Sequence, residues 1–330
     1  MAAAVPRLGL KPQAIQYPPF QGGPAAYAIL PPMPSLLESV PNVSEGRRPE
    51  VVARLAAAAS SGPGVRLLDL SSDPDHNRSV LTLAGEPEGL HQGLLALYEA
   101  ALAEIDLTRH QGVHPRIGAV DVVPFVPLGD TPMEVAVAAA NRLAPGVARL
   151  GLPVYLYEKA ASRPERTLLA SIRGNTRRGG FEGLAAKLAD PAWAPDFGPP
   201  HPHPTAGATV IGARFFLIAF NAVLATSDVA IARAIAGQVR ESGGGLPAVR
   251  AMGVHLASRG LAQVSMNLVD YRRTPILTAL RRVEEEAAAM GTGVIETEVI
   301  GLVPEAAVRG VTAADLKLVG RLPVLEERLR

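Results

Sequence analysis

From residue 35 onward, short apolar runs alternate with segments whose apolar positions recur every three or four residues. The short runs predict strands, and the periodic segments predict amphipathic helices. Turn-forming residues at 71–77 separate two apolar runs, which predicts a β-hairpin. The first predicted elements are a strand at 36–40, a helix at 47–60, strands at 65–70 and 78–83, a helix from 85 to about 105, and a strand at 117–126.

The same βαββαβ order recurs in the second half of the chain, after a helix from 131, a strand at 153–157 and a connection at 160–205. This order is that of the ferredoxin-like fold, an antiparallel sheet with its helices on one face. We therefore predict an α+β protein with two ferredoxin-like (βαββαβ) subdomains facing each other across a cleft or tunnel. The second group comprises a strand at 214–222, a helix from 226 to about 243, a hairpin at 249–256 and 261–268, a helix at 274–290 and a strand at 294–300.

The element order also predicts the domain boundaries. The N-terminal subdomain is placed at 35–180 and the C-terminal subdomain at 181–310, followed by a charged helix at 311–330. Residues 1–34 contain eight prolines and lack the charged-then-apolar pattern of a signal peptide. We expect this Pro-rich tail to be disordered.

Composition narrows the possible classes of function. The chain has 330 residues, a formal net charge of +1 and no cysteine, which excludes disulfides, thiol nucleophiles and cysteine-ligated metals. No run of 18 or more apolar residues predicts a membrane span. A balanced charge without a basic, aromatic-rich patch argues against nucleic-acid binding. We expect a cytoplasmic protein with neither membrane nor nucleic-acid partners.

Common phosphate and metal motifs are absent from the sequence. There is no Walker loop, no strand-bound G-x-G-x-x-G and no H-E-x-x-H. Two imidazoles occur at His201-Pro202-His203, but prolines surround them and no acidic residue stands close in the chain. We therefore expect no metal.

A basic loop at 109–118 precedes the predicted strand 117–126 and contains His114 between Arg109 and Arg116. The pKa of imidazole lies near neutrality, so His114 is a candidate proton shuttle, and Pro115 confines its backbone to extended conformations. On this loop alone, a solvent-exposed or structurally hydrogen-bonded histidine is the more common explanation. Its neighbour His110 is more consistent with a role in shaping the loop.

Two further features have both a functional and a structural interpretation. The Pro- and Gly-rich segment 198–212 suits a wall for a flat heterocycle, or an ordinary linker. Polar residues within apolar strands either satisfy backbone groups or face a ligand. These residues are Asp69, Asp121, Gln263 and Asn267.

Several collinear segments, spread from about 36 to 307, resemble one enzyme family. The sequence is similar to glutamate formimidoyltransferase, the formiminotransferase domain of formiminotransferase-cyclodeaminase. The segments that carry the resemblance are 40–46, 77–78, 110–121, 153–157, 193–199, 207–214, 216–221, 262–268 and 301–304.

The resemblance implies transfer of a formimino group from N-formimino-L-glutamate to N5 of tetrahydrofolate, with release of L-glutamate during histidine degradation. It implies tetrahydrofolate as co-substrate, a homodimer, and His114 as the general acid and base. It also implies that the loop after Trp193 contacts the folate. That loop comprises Gly198, Pro199, Pro200, His201, Pro202, His203, Pro204, Thr205, Ala206 and Gly207.

Other site residues follow from the chemistry of the implied substrates. Their carboxylates call for arginine forks, for which Arg214 and Arg272 are candidates. Asp73 is a candidate for the role of an acid that vertebrate relatives place at Ser71. Asp121 is a candidate to orient His114. The full set of predicted substrate-binding residues is Asn42, Asp73, Arg214, Gln263 and Arg272.

Two alternatives remain open from the sequence. The first lies within the family: formyl transfer from N-formylglutamate, or handling of 5-formyltetrahydrofolate. The second belongs to another class, a non-catalytic folate- or amino-acid-binding module, because a fold alone does not determine function.

Overall fold

The computed structural model describes residues 35–174 and 179–330. The predicted Pro-rich tail, 1–34, lies outside the described residues. Within the described part, the chain forms a mixed α+β structure with two sheets. No helix in that part combines the length and apolar character needed to cross a membrane.

The first sheet has seven strands and is flanked by helices. Its central strands are antiparallel, while β5, β7 and β6 run parallel. Strands β1 and β2 both lie between β4 and β5, giving the spatial order β3, β4, β1 with β2, β5, β7, β6. The elements are β1 Leu37–Ser39, β2 Asn42–Val43, α1 Pro49–Ala59, β3 Arg66–Asp73, β4 Arg78–Gly85, α2 Pro87–Glu104, β5 Val120–Pro127, α3 Met133–Ala148, β6 Val154–Glu158, α4 Leu169–Arg173, α5 Gly180–Leu188 and β7 Thr209–Ala213.

The second sheet has four antiparallel strands in the order β11, β8, β10, β9. Its hairpin strands and last strand occupy the ranges predicted from the apolar pattern. The elements are β8 Ile218–Leu224, α6 Val229–Val239, β9 Val249–Leu256, β10 Leu261–Leu268, α7 Ile276–Ala289, β11 Val294–Ile300 and the short α8 Leu325–Leu329.

Each sheet packs one face against helices. In the first sheet, alternate residues such as Leu81 and Phe125 are fully buried with the apolar residues of α1, α2 and α3. In the second sheet, Phe220 and Val264 pack with Leu280 and the other buried residues of α6 and α7. Since successive strand residues point to opposite faces, the intervening residues of both sheets are turned away from these cores.

The predicted strand at 214–222 is placed differently in the structure. Strand β7 ends at Ala213, and β8 begins only at Ile218. Strand β7 pairs with β5 and β6, so residues beyond 180 contribute to the first sheet. Its glycine-containing sequence resembled a loop, but Gly212 meets a packing requirement. A Cβ there would lie 2.4 Å from the ring of Tyr157.

The predicted charged helix at 311–330 is also wrong in extent. The only helix in this region is α8, which begins at Leu325. Gly310, Lys317 and Gly320 have positive φ angles, which a right-handed helix does not accommodate. Leu325 instead packs with Leu68 and Leu302, so the C-terminal segment contacts both sheets.

A buried ion pair stabilises the segment that precedes the predicted folate loop. The guanidinium of Arg166 is fully buried and lies 2.9 Å from Asp196, whose side chain is 8% exposed. Asp196 also accepts a hydrogen bond from the backbone of Leu156 at 2.7 Å. We expect Asp196→Ala to lower the free energy of unfolding by about 3 to 5 kcal/mol, because it leaves a buried cation unpaired.

Denaturant unfolding measures this loss. Asp190→Ala is the matched control, since Asp190 is exposed and its carboxylate accepts a hydrogen bond from the backbone of Ala192 without forming an ion pair among the described residues. Equal losses in the two variants would contradict a specific contribution from the buried pair.

Candidate active site

A cavity of about 390 Å³ is lined by residues from both sheets. The first sheet contributes alternate residues of β4 and β5, and the second sheet contributes residues from all four of its strands. These are the residues that point away from the helices, so the same alternation that forms the two cores leaves polar groups facing the cavity. They include Arg78, Val80, Thr82, Val122, Asn221, Arg250, Ser265, Asn267 and Glu298.

His114 lines this cavity, and its contacts define its tautomer. Nδ1 lies 2.8 Å from the carbonyl oxygen of Pro115, which can only accept, so Nδ1 carries the proton and donates it. In the neutral ring, the lone pair is then on Nε2. Nη1 of Arg78 lies 2.6 Å from both ring nitrogens, and the ring of His76 lies edge-on at 5.9 Å between centroids.

The surroundings of His114 favour its neutral form. Burial lowers its pKa well below 6.5, and the charges of Arg78 and Arg173 and the proximity of His76 lower it further. Burial also lowers the pKa of Arg78 to about 9, with Arg173 adding to the effect. At neutral pH Nε2 of the ring is therefore unprotonated, as a general base requires, although the guanidinium of Arg78 lies against it.

Asp121 lies near His114 but does not contact its ring. One carboxylate oxygen of Asp121 accepts a hydrogen bond from the backbone of Ile117 at 2.8 Å, and the other pairs with Arg173. The prediction that Asp121 orients His114 directly is therefore wrong. Asp121 holds Arg173 instead, and the carbonyl of Pro115 orients the imidazole.

Acidic residues from the two sheets face each other near His76. Asp73 accepts hydrogen bonds from the backbones of Asp75 and His76, both at 2.8 Å, and lies 3.3 Å from Nδ1 of His76. Burial raises the pKa of Glu298 from the second sheet, and the charge of Asp73 raises it further. Asn221 donates a hydrogen bond to Glu298 at 3.4 Å.

Another group of charges lines the cavity further along β1. Glu38 is 1% exposed, and burial raises its pKa to about 7 despite the charge of Arg214. Arg250 of the second sheet lies 3.3 Å from Glu158 of the first. Glu38 is four residues from Asn42, about 13 Å along an extended strand, so the cavity has two separate polar ends.

The predicted substrate-binding residues fall into two groups. Asn42, Asp73 and Arg214 line the cavity. Gln263 and Arg272 do not line it, so the structure does not support their predicted role. Gln263 shares a face with Ser265 but is buried beside Val223 and Val254, with which it pairs.

The predicted substrate-binding role of Arg272 is not supported, because an acidic residue close to it in the sequence binds its side chain. It lies outside the sheets and forms an ion pair with Asp270, two residues earlier, at 2.9 Å, and its side chain is 65% exposed. The guanidinium also lies over the ring of Phe215. A nearby acid thus satisfies the cation that the sequence analysis assigned to a ligand.

None of residues 198–207 lines the cavity in this structure. His203 and Gly207 pair through backbone hydrogen bonds of 2.8 and 3.0 Å, which close the loop on itself. The carbonyl of Thr205 accepts a hydrogen bond from Leu107 at 2.7 Å, so the loop supports the segment that leads to His114. Contact between this loop and folate stays a prediction.

Two of the other histidines have backbone partners. His110 donates from Nε2 to the carbonyl of Asn77 at 2.8 Å, which agrees with a role in shaping the loop. Nδ1 of His203 accepts a hydrogen bond from Ala206 at 3.1 Å. Throughout 35–174 and 179–330, no group of three or more His, Asp or Glu side chains is placed to hold a metal ion.

The sequence analysis did not select Arg78, Arg173, Arg250, Glu38 or Glu298. A signal for Arg78 was present, because Arg78, Val80 and Thr82 alternate on one face of a predicted strand. A signal for Glu298 was also present, because Glu296 and Glu298 lie two residues apart, on one face of the predicted strand 294–300. Arg173 lies within the predicted connection 160–205, and no periodicity marked it.

The fold and the cavity define a two-sheet α+β protein with a half-buried, neutral histidine beside an arginine that has no ion pair among the described residues, an arrangement suited to proton transfer on an anionic substrate. Residues 36–214 match the family described as "Formiminotransferase domain, N-terminal subdomain", and residues 219–319 match "Formiminotransferase domain". The chain belongs to the formiminotransferase family.

Individual relatives agree with this assignment. The chain is 45% identical over 273 residues to a glutamate formimidoyltransferase of Streptococcus pyogenes serotype M1, covering 82% of this chain and 90% of that protein. It is 45% identical over 287 residues to the glutamate formimidoyltransferase of Thermoplasma acidophilum, covering 87% and 94%. It is 42% identical to the formimidoyltransferase-cyclodeaminase of Gallus gallus, covering 83% of this chain and 51% of that protein.

The environment of His114 makes a prediction about its protonation. We expect its imidazole to remain neutral when the pH falls to 6.5 and to titrate only below that value, because burial and two guanidinium groups oppose the imidazolium. Nitrogen-detected NMR of ¹⁵N-histidine-labelled protein measures the midpoint. The exposed His255 is the internal reference, and a His114→Gln variant assigns the signal. A midpoint at or above 6.5 for His114 would contradict the proposed electrostatics.

Proposed function

We propose that this protein is a glutamate formimidoyltransferase, which moves the formimino group of N-formimino-L-glutamate to N5 of tetrahydrofolate and releases L-glutamate. The observation that carries the proposal is the neutral His114 in the cavity of a chain that belongs to the formiminotransferase family. The activity belongs to histidine degradation and one-carbon metabolism.

His114 acts as both base and acid in this proposal. When N5 of tetrahydrofolate attacks the amidinium carbon, the N5–C bond forms and Nε2 of His114 accepts the N5 proton. The imidazolium then donates that proton to the glutamate nitrogen as the C–N bond to glutamate breaks. Nδ1 remains bonded to the carbonyl of Pro115, so the ring keeps one orientation in both steps.

The charges at the two ends of the cavity suit the two substrates. The donor carries two carboxylates and a cationic amidinium group, and arginines and carboxylates occur together near His114. The folate acceptor carries a glutamate tail, for which Arg214 at the Glu38 end is the candidate arginine fork. Asn42 and Asp73 are the other proposed substrate contacts from the first sheet, and tetrahydrofolate is a co-substrate rather than a resident cofactor.

The strand orders support a more detailed description of the fold. We propose that each sheet contains a ferredoxin-like βαββαβ unit, the first extended by β6 and β7, and that the cavity between them is the substrate tunnel. The proposed division between the subdomains then lies between β7 and β8 rather than near residue 180. A homodimer and a cytoplasmic location are further parts of the proposal.

Substitution of His114 tests the catalytic role. We expect His114→Ala to lower kcat for formimino transfer by about 10²- to 10⁴-fold, the usual contribution of general acid-base catalysis. Formation of 5-formiminotetrahydrofolate, followed by its absorbance, is the readout. The matched control is His255→Ala, whose imidazole is exposed and does not line the cavity.

The same assay distinguishes the alternatives. Near-normal turnover by His114→Ala would remove His114 from catalysis. Transfer from N-formylglutamate but not from N-formimino-L-glutamate would favour the formyl reaction. Tight folate binding without transfer from either donor would favour a binding module.

A further inference from the structure

Arg78 is a partly buried cation that forms no ion pair among the described residues, although the charge of Asp121 acts on it at longer range. Its guanidinium contacts only the ring of His114, and its Nε is buried without a hydrogen-bond partner. Residues 1–34 and 175–178, which the structure does not describe, contain no Asp or Glu. The chain therefore offers Arg78 no further carboxylate, although burial of an unpaired guanidinium is costly.

Each of the other cavity arginines has an acceptor within the protein. Arg173 pairs with Asp121, and Arg250 lies 3.3 Å from Glu158. Arg214 donates to the carbonyl of Phe215 at 2.9 Å. Arg78 alone among these four has neither a carboxylate nor a carbonyl oxygen as a hydrogen-bond acceptor among the described residues, so its N–H donors face the cavity without an acidic or carbonyl partner. An arginine in this state has the geometry to bind a carboxylate with two parallel hydrogen bonds.

The position of Arg78 indicates which carboxylate it binds. Its Nη1 lies 2.6 Å from Nε2 of His114, the nitrogen that carries the proton in the proposed reaction. In N-formimino-L-glutamate, the α-carboxylate and the leaving nitrogen are attached to the same carbon atom. An α-carboxylate on Arg78 therefore brings the leaving nitrogen beside the group that must protonate it.

We propose that Arg78 binds the α-carboxylate of the glutamate donor, and that this contact draws the guanidinium away from Nε2 of His114. In the unliganded site, the guanidinium of Arg78 therefore blocks Nε2 of His114. Binding of the substrate carboxylate to Arg78 makes this nitrogen accessible. This inference rests on the proposed function for the identity of the donor, but binding of a free amino acid tests it without turnover.

The direct test is calorimetric binding of three amino acids to the full chain. L-glutamate has both carboxylates, L-isoglutamine lacks the α-carboxylate, and L-glutamine lacks the γ-carboxylate. We expect Arg78→Ala to weaken L-glutamate and L-glutamine binding about 10- to 100-fold, because a charge-assisted contact is lost. L-isoglutamine should bind wild type and Arg78→Ala equally weakly, as a double-mutant cycle requires.

Two further variants control for structural effects. Arg78→Lys keeps the charge but not the fork, so its L-glutamate affinity should lie between those of wild type and Arg78→Ala. Arg272→Ala should bind like wild type, because Arg272 pairs with Asp270 outside the cavity. Circular dichroism establishes that each variant is folded.

The pKa of His114 provides an independent measure of whether Arg78 moves away from Nε2 when L-glutamate binds. The charged and titratable groups facing it are Arg78 from β4, Arg173 from α4 and His76 from the hairpin turn, with Asp73 behind His76. We expect L-glutamate to raise the pKa of His114 in wild type, because a carboxylate neutralises Arg78. In Arg78→Ala the pKa should be higher at the outset and insensitive to L-glutamate.

Three results would overturn the proposal. The first is unchanged L-glutamate affinity in Arg78→Ala. The second is an equal loss of L-glutamate and L-isoglutamine binding, which would assign Arg78 to the γ-carboxylate or to structure. The third is a loss of folate affinity with glutamate affinity retained, which would assign Arg78 to the folate tail. Failure of formimino transfer together with the expected glutamate binding would reject the proposed function but not the role of Arg78.

Discussion

The long helices α1, α2, α3, α6 and α7 cover one face of each sheet, while the short α4 and α5 cover only the β5, β7 and β6 part of the other face of the first sheet, and the rest of the structure depends on this asymmetry. Apolar residues at alternate positions, such as Leu81 in β4 and Val264 in β10, are buried against the helices. Their neighbours in the chain must then face the other way. The cavity is therefore lined by residues whose positions follow from the packing of the cores, and a rigid scaffold holds the polar side chains in place.

Desolvation determines the chemistry at the His114 end. A guanidinium keeps its charge even when its pKa falls to about 9, whereas an imidazole under the same influence loses its proton at neutral pH. Asp121 pairs with Arg173, and Arg78 feels its charge only at longer range, without an ion pair of its own among the described residues. The protein thus maintains a neutral base next to a positive charge, and this arrangement favours an anionic ligand over an empty cavity.

The sequence analysis predicted the positions of helices and strands more accurately than it predicted contacts between distant residues. Apolar runs bounded by turn-forming residues located β9, β10 and β11 correctly. Strand β7 escaped detection since Gly212, which resembles a loop residue, is required by the ring of Tyr157 in a neighbouring strand. That constraint comes from a residue 55 positions away in the chain, and no local pattern reveals it.

In the site, too, features that depend on neighbouring residues in the sequence were predictable, and features that depend on distant residues were not. The position of His114 at the mouth of a strand was readable from its loop, and its presence in the cavity follows from β5. Choosing among 28 arginines required knowing which carboxylates each one meets, and these lie far away in sequence for Arg173 but two residues away for Arg272. The informative arginine is the one that the fold leaves without a carboxylate. Such an absence is a property of the packed structure, so residue type and spacing alone could not have distinguished Arg78 from Arg272.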